Sequence, residues 1–267
     1  VKDRVCQQAA KIVLEPVFEA DFLSCSYGFR PKRSATDAME KLRVGFIDGY
    51  QFVFEADIRD FFGSIDHDRL MALVEERVSD RRVLKLLRQW LRAGVLDDGK
   101  YLETVTGTPQ GGVISPLLAN IFLHAFDRAF REHGTGELVR YADDFVVLCR
   151  SERQAERSRE LAAALLGELG LELHPDKTRL VDLRKGREGF DFLGCHFHAR
   201  MSGKLWEQRR VIRYYLHRWP SQRSMKRARA RIKALTARSQ VGQQLEDVIG
   251  RLNLFLRGWG NYLKAPG

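Results

Sequence analysis

With 267 residues, 44% of them hydrophobic and 30% charged, the chain has the composition of a folded protein with a sizeable core, not of a disordered or fibrous one. No apolar run is long enough to cross a bilayer, no signal-peptide core opens the chain, and Cys6, Cys25, Cys149 and Cys195 lack Cys-x-x-Cys spacing, which points to buried thiols in a reducing, cytoplasmic setting. The net charge of +10 is local: Arg200 to Lys233 holds twelve Lys/Arg against the single acid Glu207, so the remainder carries −1.

In chain order, Arg4 to Glu19 has the apolar spacing of a helix, with Pro16 as a kink or end point. Ser24 to Arg33 reads as a loop, and Ser34 can cap a helix reaching about Phe46. Gln51 to Ile58 reads as a strand ending in Asp57. Asp66 caps a helix to about Val78, and a second helix covers Arg82 to Arg92. Asp98-Gly99 is a hairpin signal between Val95-Leu96 and Tyr101-Leu102. The stiff loop Gly107-Thr108-Pro109-Gln110-Gly111-Gly112 feeds a helix from Ser115 to about Phe130, with Pro116 in its first turn.

Leu138 to Leu148 then sets two short apolar runs around the polar tip Ala142-Asp143-Asp144, the pattern of a β-hairpin. Ser151 caps a helix to about Leu169, ended by Gly170. Leu171 to Leu183 is a loop and strand, Gly189 to His198 a further strand, and the last third reads as helical: Ser221 to Leu235 and Leu245 to Leu256. Cys195-His196-Phe197-His198 does not read as a metal cluster, because strand alternation sends neighbours to opposite faces. The class is α+β, with a core domain over residues 1–200 and a basic helical segment over 201–267.

Two adjacent carboxylates on a tight turn repel, and a hard divalent cation with oxygen ligands relieves that repulsion. If the strand ending in Asp57 neighbours the hairpin, Asp57, Asp143 and Asp144 converge. Such a cluster can hold two metal ions about 4 Å apart, the arrangement used for in-line phosphoryl transfer. Phe62, just beyond the strand, could pack under a sugar. Gln110 sits among glycines that permit close approach to a nucleotide. Lys177 could neutralise or protonate a leaving group. The basic block after Arg200 has the make-up of a phosphate-backbone footprint.

These segments resemble, in order, the motifs of reverse transcriptases. Asp57-Ile58-Arg59-Asp60-Phe61-Phe62 resembles the first palm motif and Thr108-Pro109-Gln110-Gly111-Gly112 the nucleotide-facing loop. Tyr141-Ala142-Asp143-Asp144 resembles the catalytic signature, Pro175-Asp176-Lys177-Thr178 the lysine motif and Phe192-Leu193-Gly194 the primer-grip hairpin. Ser26-Tyr27-Gly28-Phe29-Arg30-Pro31-Lys32-Arg33-Ser34 and the segment Leu252 to Tyr262 are similar to group II intron reverse transcriptases and maturases.

The resemblance implies a right-hand polymerase palm with partial fingers and a helical thumb. It implies an RNA-directed DNA polymerase that takes an RNA template, a DNA primer and deoxynucleotides, and that also binds intron RNA. Asp57, Asp143 and Asp144 would hold two magnesium ions, or manganese in their place, with the Ile58 carbonyl. Phe62 would gate the sugar, Gln110 and Arg30 would face the nucleotide, and Lys177 would act as general acid. Lys32, Arg33, Arg223, Lys226, Arg227 and Arg231 would contact nucleic acid, read by backbone and shape. The implied setting is the bacterial cytoplasm, near the nucleoid. The family's upstream fingers segment and its DNA-binding and endonuclease extensions are not in the sequence. A splicing cofactor without polymerase activity, or an enzyme recruited to a defence system, are the alternatives. The RNA bound and the oligomeric state are open.

Overall fold

The structure, a computed structural model, describes residues 2–92, 95–97, 100–102, 112–240 and 242–263. Packing divides the chain into two units, one of Val1–Ala38 with Gly49–Leu180 and one of Met39–Asp48 with Val181–Gly267. The composition shift at Arg200 instead falls inside a strand, Cys195–Met201. The expected boundary marks a change of charge, and packing divides the chain twenty residues earlier.

In chain order the elements are α1 (Lys2–Glu19), α2 (Ala35–Ile47), β1 (Phe52–Asp57), α3 (Phe61–Ser64), α4 (His67–Glu75), α5 (Arg81–Arg92), β2 (Val95–Asp97), β3 (Lys100–Leu102), α6 (Ser115–His133), β4 (Glu137–Tyr141), β5 (Asp144–Cys149), α7 (Glu152–Glu168) and β6 (Arg179–Asp182). There follow β7 (Gly189–Phe192), β8 (Cys195–Met201), α8 (Gly203–Arg209), β9 (Tyr214–Pro220), α9 (Gln222–Leu235) and α10 (Leu245–Leu263). β2 and β3 pair antiparallel, Val95 against Leu102, as the hairpin signal predicts; the Asp98-Gly99 turn lies outside the described residues.

The first unit is built on a sheet in the order β4-β5-β1-β6. β5 lies between two antiparallel neighbours and is apolar on both faces: Phe145, Val146, Val147, Leu148 and Cys149 are all buried. α6 is buried around most of its circumference, through Leu117, Leu118, Ile121, Phe122, Leu123, Phe126 and Phe130. Its Phe126 ring lies 5.3 Å from Phe145 of β5. Each such ring taken out of water stabilises the core by about 1.5–3 kcal/mol. The caps fall where the sequence puts them: Ser34 Oγ accepts from the Asp37 amide, Asp66 from that of Arg69 and Ser151 from that of Gln154.

The second unit departs from expectation. Gly189 to His198 is two strands, β7 and part of β8, joined by the turn Leu193-Gly194 with φ of +50° and +76°. Two positive φ values in a two-residue loop are the turn that matches strand twist. The Tyr262 hydroxyl donates to the Leu193 carbonyl at 2.8 Å. The stretch after Arg200, read as helical, contains β9, which pairs along β8 from Cys195↔Pro220 to Met201↔Tyr214. Aromatic residues at Tyr214, Tyr215 and Trp219 favour a pleated, half-buried surface, and Arg218 with the flanking Arg209, Arg210, Arg213 and Arg223 masks that signal. Phe190 and Phe197 stack at 5.2 Å on the buried face. α9 is capped by Ser221 and exposes Arg223, Lys226, Arg227 and Arg231.

Candidate functional site

Asp57 closes β1 and Asp144 opens β5, and the two are direct antiparallel partners. Residues so paired have Cα atoms about 4.5–5.5 Å apart and side chains on one face. Asp143 is the second residue of the two-residue turn between Tyr141 and Asp144, which are themselves partners. Its predecessor Ala142 takes φ +57°, a left-handed conformation that L side chains rarely adopt. The three acids, up to 87 positions apart in sequence, therefore meet at one end of the sheet.

The crowding raises the affinity of Asp143 and Asp144 for protons. Burial, the Asp57 charge and the Asp143 charge push the Asp144 carboxyl up to about 7. Asp143 is also raised, first by burial and then by the Asp57 charge. Two cations oppose that rise: Lys177, whose Nζ bonds Asp57 Oδ2, and Arg140, whose charge also acts on Asp143. The turn Pro175–Lys177 aims the lysine there, with the Lys177 amide donating to the His174 carbonyl at 3.2 Å and the His174 amide to the Asp57 carbonyl at 2.8 Å. Ile58 is buried and bridges Leu173 beside this turn.

Among the described residues, no three His, Cys, Asp or Glu side chains stand close enough to hold a metal ion as they are placed. Asp57 is turned to Lys177. The donor chemistry nevertheless fits a hard divalent cation: acidic oxygens on adjoining strands, two of them with raised proton affinity.

Phe62 follows Asp57 by five residues in α3, half-buried, its ring 5.2 Å from that of the buried Phe61. Gln110 lies outside the described residues. Lys32 is exposed at φ +58°. Arg33 bonds the Ser24 carbonyl at 2.8 Å and lies over the Tyr27 ring.

Arg30 requires a correction. It is 7% exposed, and its guanidinium is held by Glu19 and by the carbonyls of Leu23 and Ser26. A cation so enclosed is a structural tie of its loop, not a ligand for nucleotide.

A buried charged group that no sequence motif marks lies beneath the hairpin. Arg140 is fully buried and pairs with Asp127 of α6, Nε to Oδ1 at 2.7 Å and Nη2 to Oδ2 at 2.5 Å. It also donates to Asn120, to Ser26 and, at 2.9 Å, to the Ala142 carbonyl of the turn. Arg140 inside the apolar run Leu138 to Tyr141, and Asp127 with Arg128 inside Ile121 to Phe130, were the available signal.

Residues 1–197 match the family model described as reverse transcriptase (RNA-dependent DNA polymerase). The chain belongs to the reverse transcriptase family. Residues 225–265 match the group II intron, maturase-specific domain, which places it with the group II intron reverse transcriptases and maturases. Protein YkfC of Escherichia coli is 34% identical over 249 residues, covering 79% of this chain and 64% of that protein. The group II intron-encoded protein LtrA of Lactococcus lactis is 40% identical over 126 residues, 47% of this chain and 21% of LtrA. The chain thus spans less than two thirds of either relative. Among solved structures, telomerase from Candida tropicalis in complex with a fragment of telomeric RNA superposes with a TM-score of 0.58 at 11% identity, covering 96% of this chain and 45% of that one. Telomerase from Candida albicans gives 0.54 at 16% identity. These likenesses show the α+β polymerase-like fold.

Proposed function

We propose that the chain is the palm and thumb portion of an RNA-directed DNA polymerase of a group II intron, which extends a DNA primer on an RNA template and also binds intron RNA. The observation that carries the reading is the pairing of Asp57 with Asp144, next to Asp143, in a chain of this family. The maturase-specific match supports the intron RNA role.

Asp57, Asp143 and Asp144 would hold magnesium, or manganese as a substitute, with the Ile58 carbonyl. Bound cations supply activation of the primer hydroxyl and neutralisation of the leaving pyrophosphate. The chain's own groups do the remainder. Lys177 exchanges its bond to Asp57 for contact with the leaving group, which it neutralises or protonates. Phe62 packs under the sugar and excludes a 2′-hydroxyl. Gln110 would face the incoming nucleotide. Lys32 and Arg33, with Arg223, Lys226, Arg227 and Arg231 of α9, bind phosphates of the template–primer hybrid without reading sequence.

Primer extension on an RNA template with magnesium tests the reading. DNA synthesis by the parent, lost in Asp143→Ala while RNA binding persists, is the expected result. RNA binding with no synthesis by the parent would instead favour a splicing cofactor without polymerase activity.

A further inference from the structure

The loop from Ser24 to Arg33 lies along the hairpin that carries the acids. Ser26 forms a parallel bridge with Arg140. The Tyr27 amide donates to the Arg140 carbonyl and the Arg140 amide to the Cys25 carbonyl, each at 2.8 Å. The loop thereby adds a rung of backbone pairing to β4, the edge strand of the sheet. One turn further, Gly28 presses on the tip itself. A Cβ there would stand 2.4 Å from the Ala142 nitrogen and 3.0 Å from the Tyr141 carbonyl carbon. Asn120 links both sides: its Nδ2 donates to the Gly28 carbonyl at 2.8 Å and its Oδ1 accepts from Arg140 at 3.2 Å. At its base the loop is tied to α1 by Arg30 and Glu19.

The contacts converge on the peptide immediately before Asp143. Ala142 holds a left-handed φ there, and such strain persists only where neighbours over-determine it. Arg140 supplies part of that constraint from below by bonding the Ala142 carbonyl, and Gly28 supplies the rest from the side.

We infer that this loop is a positioning element: with Asn120, Asp127 and Arg140 it sets where Asp143 and Asp144 stand against Asp57, and so sets the cation affinity of the trio. The cation part rests on the function proposed above; the mechanical part does not. Ser26, Gly28 and Arg140 are positioning residues, since none is asked to touch substrate.

The test uses the full chain and two variants, Gly28→Ala, whose added methyl meets backbone, and the milder Ser26→Ala. Two readouts are hydrogen exchange of the tip amides, 138–146, and titration with Mn2+ alone. In Gly28→Ala the tip should exchange faster while β1 and α6 keep their protection. The Mn2+ concentration at half-saturation should rise about tenfold or more, the usual cost of disturbing groups that orient ligands. Ser26→Ala should shift both in the same direction by less. Tip exchange unchanged in both variants would overturn the inference, and so would a loosened tip with Mn2+ half-saturation unaltered. If Asp143→Asn leaves the parent's Mn2+ binding unchanged, the proposed cation role of the acids falls, while the exchange arm still decides the mechanical part.

Discussion

Lys177 bonds the carboxylate of Asp57, so the acid at the end of β1 is held by a cation of the chain's own. Lys177 is half-exposed and Asp57 largely covered. The lysine neutralises one of three crowded acids and competes with any metal ion for the same oxygen. Lys177→Met should therefore bind Mn2+ more tightly than the parent and yet extend primers more slowly, by about a hundredfold if the lysine acts as an acid. Tighter cation binding with an unchanged rate would remove Lys177 from the chemistry.

Phe62 packs on Phe61, five residues after Asp57, and is only half-buried. Phe62→Val should keep the fold and raise ribonucleotide incorporation relative to deoxynucleotide by roughly ten- to a hundredfold, the range of a steric pocket. Competition between the two nucleotides in single-nucleotide extension measures it. Unchanged discrimination would assign the gate elsewhere.

Arg227 and Arg231 stand one helical turn apart on the exposed face of α9. Reversal of both to Glu should weaken hybrid binding and reduce the slope of log K against log salt by about 2, one unit for each phosphate no longer neutralised. Processivity should fall while single-nucleotide addition is spared. Equal loss of both activities would mean the helix does more than grip.

Protonation of the acids predicts a pH dependence. Asp144 is pushed from an ordinary 3.8 up to about 7, and Asp143 moves the same way. The folded state thus keeps protons that the unfolded state releases. The resulting stability is complete below the ordinary carboxylate value and is lost as pH rises through the folded value. With divalent cations chelated, the melting temperature should fall from about pH 5 to about pH 8, and Mg2+ should restore more stability at the upper pH. Asp144→Asn should flatten both effects. An equal Mg2+ shift at the two pH values would contradict this.

The elements that build the site were legible because each has a local cause. Ser151 and Asp66 cap helices, Pro116 opens one, and the apolar runs around Ala142-Asp143 can only be buried strands. The partners of charged residues were not legible. The resemblance makes Arg30 a nucleotide-facing residue until Glu19, 11 positions back, is seen to enclose it. Arg140 and Asp127 are 13 apart, and a linear pattern has no period that joins a helix to a strand in that way. β9 was missed because Arg218 and the flanking Arg209, Arg210, Arg213 and Arg223 speak for a solvated helix, whereas Tyr214, Tyr215 and Trp219 decide for a strand.

If Asp57 works with Asp143 and Asp144 as one centre for DNA synthesis on RNA, single-turnover primer extension by Asp57→Asn should be slower by at least about a thousandfold, since charge stabilisation at the transferring phosphoryl group is lost. Hybrid affinity, followed in parallel, should stay close to that of the parent. A rate within about tenfold of the parent would mean that the pairing of Asp57 with Asp144 is architecture alone.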